Sequence, residues 1–204
     1  MKHIITTRCS FQDDELFQKY FEVMKKMYIP SVCAQTVKNF KLYISTDRKT
    51  NSHHKDLIAK EFKGSDVDLV FDITDIKSYM LNEKYNIQSR HDCDDWMSPL
   101  YVERIQSLYS ENINKHDEFM IHAQPSKYDF ETGKEYAGIV YKDTSTSMFL
   151  SLCQKNPTKH IFLKKHAEFP QIVPTVFNLG EGLVKLVIHK NNRLSKISSG
   201  DKKL

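Results

Sequence analysis

The stretch Tyr85-Asn86-Ile87-Gln88-Ser89-Arg90-His91-Asp92-Cys93-Asp94-Asp95-Trp96-Met97-Ser98-Pro99 decides how this chain is read. Residues 85–89 read as a strand, and residues 99–112 carry apolar side chains at helical spacing. Between them stand Asp92, Asp94 and Asp95, three carboxylates within four residues. Carboxylates packed that closely repel one another, and each tends to take up a proton unless a cation compensates. A hard divalent ion is one compensator, since Mg²⁺ is held by one or two protein carboxylates with phosphates and water completing its shell. A second reading stands beside it: acids before a helix satisfy free amides and favour the positive end of the helix dipole. Ser98 before Pro99 already supplies a cap for a helix opening at proline, so three more acids exceed what capping needs.

Outward from this stretch, the chain alternates strand and helix. Residues 3–7 form a short run that is β-branched from Ile4 through Thr7 and reads as a strand. A polar loop with Asp13, Asp14 and Glu15 follows and leads into a helix bearing Leu16, Phe17, Tyr20, Phe21, Met24, Met27 and Tyr28, ended by Pro30. Strands are expected at 40–46, 67–73 and 118–123, and helices at 54–62 and 75–84. Such alternation predicts an α/β domain with a mixed, mostly parallel central sheet flanked by helices. In open sheets of this kind ligands bind beyond the carboxyl ends of the strands. Arg8, Asp47 and residues 92–95 all fall there, which favours the metal-site reading over capping.

The second half changes style and predicts a smaller antiparallel element. Residues 128–136 resemble a hairpin turning at Gly133. Residues 143–147 are expected to cap a short helix at 148–153, 177–182 reads as a turn, and 183–188 as an apolar strand ending at His189. Residues 1–189 form the expected domain, and 190–204 a basic tail or the start of a linker.

Composition narrows the class. With 204 residues, 40% hydrophobic and 27% charged, the chain is long enough for one domain with a substantial core. The formal charge of +4 comes mostly from lysines spread along the sequence rather than from an aromatic-basic stripe. That argues against a nucleic-acid-binding module, one of two alternatives. The other, an aspartyl phosphohydrolase, expects its Asp pair directly after the first strand, where Thr7-Arg8 stands instead. Cys9, Cys33, Cys93 and Cys153 lack metal or disulfide spacing and read as reduced thiols. No apolar run approaches the roughly 18 residues of a membrane span, and a cytoplasmic location is expected. His53-His54 reads as surface, and Trp96 as either a sugar-stacking ring or a staple at the helix start.

Taken together, Thr6-Thr7-Arg8, the stretch 30–36 ahead of the second strand, Arg90-x-Asp92-x-Asp94-Asp95 and the late His189-Lys190-Asn191-Asn192 resemble nucleotide-sugar glycosyltransferases of the GT-A type. The similarity is greatest to the rhamnosyltransferase family, relatives of which occur in viruses of algae and act on capsid glycans. The resemblance implies a single GT-A-like, Rossmann-related domain. It implies transfer of a hexose or deoxyhexose, such as rhamnose or glucose, from a nucleoside diphosphate sugar, UDP favoured, to a glycan acceptor with inversion. In a viral setting this would take place in the host cytoplasm. It further implies Mn²⁺ or Mg²⁺ held by Asp94 and His189, with Asp92 toward the metal or the ribose. Thr7, Arg8, Asp47 and Arg90 would line the donor pocket, and Asp95 would orient Arg90 or meet the acceptor. Asp143 is the expected catalytic base. Relatives often carry glycine where Lys190 follows His189.

Overall fold

Five of the six residues of the first strand are buried, because β-branched side chains on both faces suit a strand covered by helices on each side. The computed structural model describes residues 1–9, 13–46, 52–137, 149–163 and 166–190. In chain order the first elements are β1 (His3–Arg8), α1 (Asp14–Val23), a π-helical turn (Met24–Tyr28), α2 (Ile29–Cys33), β2 (Lys41–Ser45) and α3 (Ser52–Glu61). Next come β3 (Asp68–Val70), α4 (Ile76–Asn82), β4 (Ile87–Asp92), β5 (Trp96–Met97), α5 (Tyr101–Asn112) and β6 (Glu118–His122). Then follow β7 (Ser126–Asp129), β8 (Lys134–Tyr136), β9 (Leu150–Gln154), a 3₁₀ segment (His166–Gln171), β10 (Val176–Asn178) and β11 (Val184–Ile188).

Seven strands form the main sheet in the order β10-β6-β9-β4-β1-β2-β3. β9 runs antiparallel to both neighbours, β4 and β6, and the other pairings are parallel. Ile5 faces a core built with Phe17, Tyr28, Val32, Ile58, Val102 and Ile105 of the first helices and α5. Ile4, one residue earlier, faces a second core with Met80, Leu152, Ile161 and Phe169. This is the mixed, mostly parallel α/β sheet expected. The smaller sheet, β5-β11-β7-β8, contains the expected hairpin, with Gly133 at φ 69° in its turn. Among the described residues no helix is long and apolar enough to cross a membrane.

Several local expectations are corrected. Residues 150–154 are a strand, not a helix. Leu150 and Leu152 enter one core while Phe149 and Cys153 enter the other, so a run apolar on both faces carries no period to tell it from a buried helix. The helix expected at 148–153 is thus replaced by strand where the chain is described, and Asp143 lies outside the described residues, as do Asp47 and the tail 191–204. The stretch read as a turn at 177–182 contains part of β10, a three-residue parallel strand pairing with β6. Pro30 does not end the first helical segment: a π-helical turn, in which the Ile29 amide reaches back to the Met24 carbonyl, carries the chain into α2 with proline at its start. α5 starts at Tyr101, two residues past Pro99, with the Tyr101 amide on the Ser98 carbonyl at 2.9 Å. His54 is not a surface residue. It is buried, stacked 3.8 Å from Phe17, and 2.7 Å from Asp14.

Candidate functional site

The chain passes from β1 outward through β2 to β3, then returns to lay β4 on the other side of β1. At such a switch point the loops leaving two neighbouring parallel strands diverge and open a crevice at their carboxyl ends. A cleft of about 190 Å³ lies there, lined by Thr6, Thr7 and Arg8 of β1, Ser45 of β2, Arg90, His91 and Asp92 of β4, and Phe162. The parallel register sets Thr6 beside Arg90, Thr7 beside His91 and Arg8 beside Asp92. Thr7, Arg8, Arg90 and Asp92 are thus brought together, two cations and one carboxylate on the rim of one cavity. Phe162 and Ser45 were not singled out from sequence. Phe162 lies with its ring 6.0 Å from the Arg90 guanidinium, and no pattern in the sequence around it marks it.

β4 continues through Asp92, so the acidic cluster begins inside the strand and turns only after it. Burial raises the Asp92 carboxyl above the usual range, helped by the neighbouring Asp94 and opposed by Arg90 and Arg8. The turn is held from behind by His91. Its Nδ1 lies 3.2 Å from the Asp92 carbonyl, and burial lowers its pKa to about 4. A neutral ring therefore donates Nδ1–H to that carbonyl.

Asp94 and His189, 95 residues apart, meet at 3.0 Å between Oδ2 and Nε2. The imidazole is buried, with the Tyr20 ring edge-on at 5.0 Å. Asp95 stands elsewhere. It is 1% exposed, and its Oδ1 accepts a hydrogen bond from the Val187 amide at 2.9 Å. Burial first, then the charges of Asp94 and Asp92, push its carboxyl well up. A carboxyl so placed is bound to backbone rather than presented to Arg90 or an acceptor. Trp96, in β5, is covered by the Lys185 ammonium 4.9 Å from its ring.

The residues present fit a divalent ion in part. No three His, Cys, Asp or Glu side chains gather into a metal-holding group among the described residues; Asp94 and His189 meet as a pair. The pair itself has suitable chemistry. The 3.0 Å contact is a hydrogen bond between the two side chains, and both atoms are of kinds that ligate divalent ions. A carboxylate with an imidazole suits Mn²⁺ better than Mg²⁺, which prefers oxygen.

No curated protein matches this chain. Among solved structures, it is similar to S. aureus TarS residues 1–349 in complex with UDP-GlcNAc, with a TM-score of 0.61 and 9% identity over 97% of this chain and 62% of that one. The same segment in complex with UDP gives a TM-score of 0.52 at 9% identity, over 92% and 61% of the two chains. The likeness is one of fold, and the chain spans less than two thirds of the TarS segment. The family profile described as "Putative rhamnosyl transferase" matches residues 5–199, and the chain belongs to that family.

Proposed function

We propose that this protein is a metal-dependent glycosyltransferase that moves a hexose or deoxyhexose from a nucleoside diphosphate sugar, UDP favoured, to a glycan acceptor with inversion. The observation that carries the reading is the Asp94–His189 pair at 3.0 Å, with Asp94 two residues past the end of β4, whose Asp92 lines the switch-point cleft. The TarS complexes, one with UDP and one with UDP-GlcNAc, share this fold and support a nucleotide-sugar donor. A cytoplasmic setting and a capsid glycan acceptor rest on family resemblance.

In this reading Asp94 and His189 would hold Mn²⁺, which when bound would supply positive charge to the diphosphate leaving group. Arg8 and Arg90 would add guanidinium donors that match phosphate oxygens, while Thr7 and Asp92, with Asp47 by the family resemblance, are assigned to the nucleoside and its ribose. The acceptor hydroxyl oxygen attacks the anomeric carbon, and the bond to the diphosphate oxygen breaks with its electron pair. The hydroxyl proton passes to a carboxylate, assigned to Asp143 on its place in the sequence ahead of β9; Asp95 instead binds the Val187 amide.

Calorimetric titration of UDP with and without Mn²⁺ tests the reading in wild type and Asp94→Ala. Loss of an outer partner of a metal site already costs about 10–100-fold in affinity, so loss of a ligand is expected to remove at least about that much of the metal-dependent gain. Failure of UDP, GDP and dTDP to bind with Mn²⁺ present would overturn it.

A further inference from the structure

We propose that Asp95 is a positioning residue that ties β11 to the acidic turn and thereby sets His189 against Asp94. The inference rests on the reading of Asp94 and His189 as the metal-holding pair.

His189 follows directly on β11, and its place is set by where that strand ends. On one edge β11 pairs with β7 from Lys185 through Ile188. On the other it pairs with β5 only at Val184 and Lys185, opposite Met97 and Trp96. Continued by two residues, the antiparallel ladder would bring Asp95 and Asp94 alongside Leu186 and Val187 as ordinary strand backbone, with Asp94 fixed by the pleat. The ladder stops instead, and the chain bends away into the acidic turn. Where it stops, the Val187 amide is taken by the Asp95 side chain at 2.9 Å. The carboxyl does the work of a strand carbonyl but extends beyond the backbone, so the turn can leave the sheet while remaining attached to it. Attachment at Asp95 on one chain and Val187 on the other leaves Asp94 and His189 as the next side chains outward, and these are the two that meet at 3.0 Å.

A carboxyl is an expensive choice for this task. Asp95 Oδ2 is buried and has no hydrogen-bond partner among the described residues, and a buried unsatisfied oxygen is destabilising. A closed ladder would be cheaper for the fold. The open one serves the placement of the two side chains beyond it.

The test measures the gain in UDP affinity produced by Mn²⁺ in wild type, Asp95→Leu, Asp95→Asn, His189→Ala and the Asp95→Leu/His189→Ala double variant. Calorimetry supplies the affinities, and circular dichroism confirms folding. Asp95→Leu is expected to bind UDP without metal within about 3-fold of wild type and to lose at least about 10-fold of the Mn²⁺ gain. Asp95→Asn keeps an oxygen for the Val187 amide and is expected to retain most of the gain. The double variant is expected to be no worse than His189→Ala, since residues acting through one another are not additive. Full gain in a folded Asp95→Leu, or additive losses in the double variant, would overturn the proposal. If Asp95→Leu does not fold, Asp95→Asn decides: retained gain supports the tie, and a loss as large as that of His189→Ala overturns it. A wild type with no Mn²⁺ gain would overturn the metal pair itself, a failure distinct from a wild type with the gain and an unaffected Asp95→Leu.

Discussion

His3 offers a quantitative test of the buried polar network beneath the sheet. Its Nε2 lies 2.8 Å from Ser89 Oγ, which lies 2.6 Å from Ser151 Oγ, and its Nδ1 faces the Gln106 amide nitrogen at 3.4 Å. With the amide donating to Nδ1, the ring is neutral with its proton on Nε2, and a second proton would point at a donor. Burial lowers its pKa from 6.5 to about 3. In the unfolded chain the ring titrates near 6.5. Between those values the unfolded state binds the extra proton. The stabilisation is therefore complete above about pH 6.5 and is lost as pH falls toward the folded value. At about pH 5, roughly 1.5 units below the unfolded pKa at about 1.36 kcal/mol per unit, the loss is about 2 kcal/mol. That figure barely depends on the folded pKa, because pH 5 lies well above it. His91 moves the same way on acidification, and Asp95 the opposite way. The measurement is therefore a difference of differences: urea unfolding of wild type and His3→Gln at about pH 7.5 and about pH 5. The variant is expected to lose about 2 kcal/mol less than wild type between the two. Equal losses, within about 0.5 kcal/mol, would refute the neutral buried ring.

Two further outcomes follow from packing. Phe162→Ala removes a wall of the switch-point cleft and, at about 1 kcal/mol for a lost aromatic contact, is expected to weaken UDP binding about 5-fold by calorimetry; unchanged affinity would place the nucleotide elsewhere. Leu152→Ala, at a fully buried position of β9, is expected to cost about 2–5 kcal/mol in urea unfolding. A loss under about 1 kcal/mol would contradict its place in the sheet centre.

The sequence was most informative where a local pattern has one structural solution. Short β-branched or apolar runs at 3–7, 40–46 and 85–89 read as strands, and the polar residues at their ends collect on one edge of a parallel sheet. That is why Thr7, Arg8, Arg90 and Asp92 were found together. Information failed where the deciding partner is remote or the pattern is degenerate. Residues 150–154 are apolar toward both cores, which erases the period of two. His54 gave no sign of burial because its partners, Asp14 and Phe17, lie some forty residues upstream. Asp95 is expected from the resemblance to orient Arg90 or meet the acceptor, yet its environment is set by Val187, 92 residues away.

The same reasoning explains why the second sheet exists at all. The main sheet can gather the cleft residues from β1, β2 and β4 unaided, since neighbouring parallel strands end side by side. It cannot deliver His189, which arrives after β10 has closed the far edge of that sheet. A separate ladder is needed to return the chain to β4. β5 supplies its first rung two residues after Asp94, where the acidic turn ends. A two-residue strand is weak pairing for so demanding a task, and the parallel partner β7 reinforces β11 along its other edge through Ile188. The proposed site would thus lie where the two sheets meet at one turn, and substitutions in the β5–β11–β7 seam should alter the Asp94–His189 spacing before they alter the cleft.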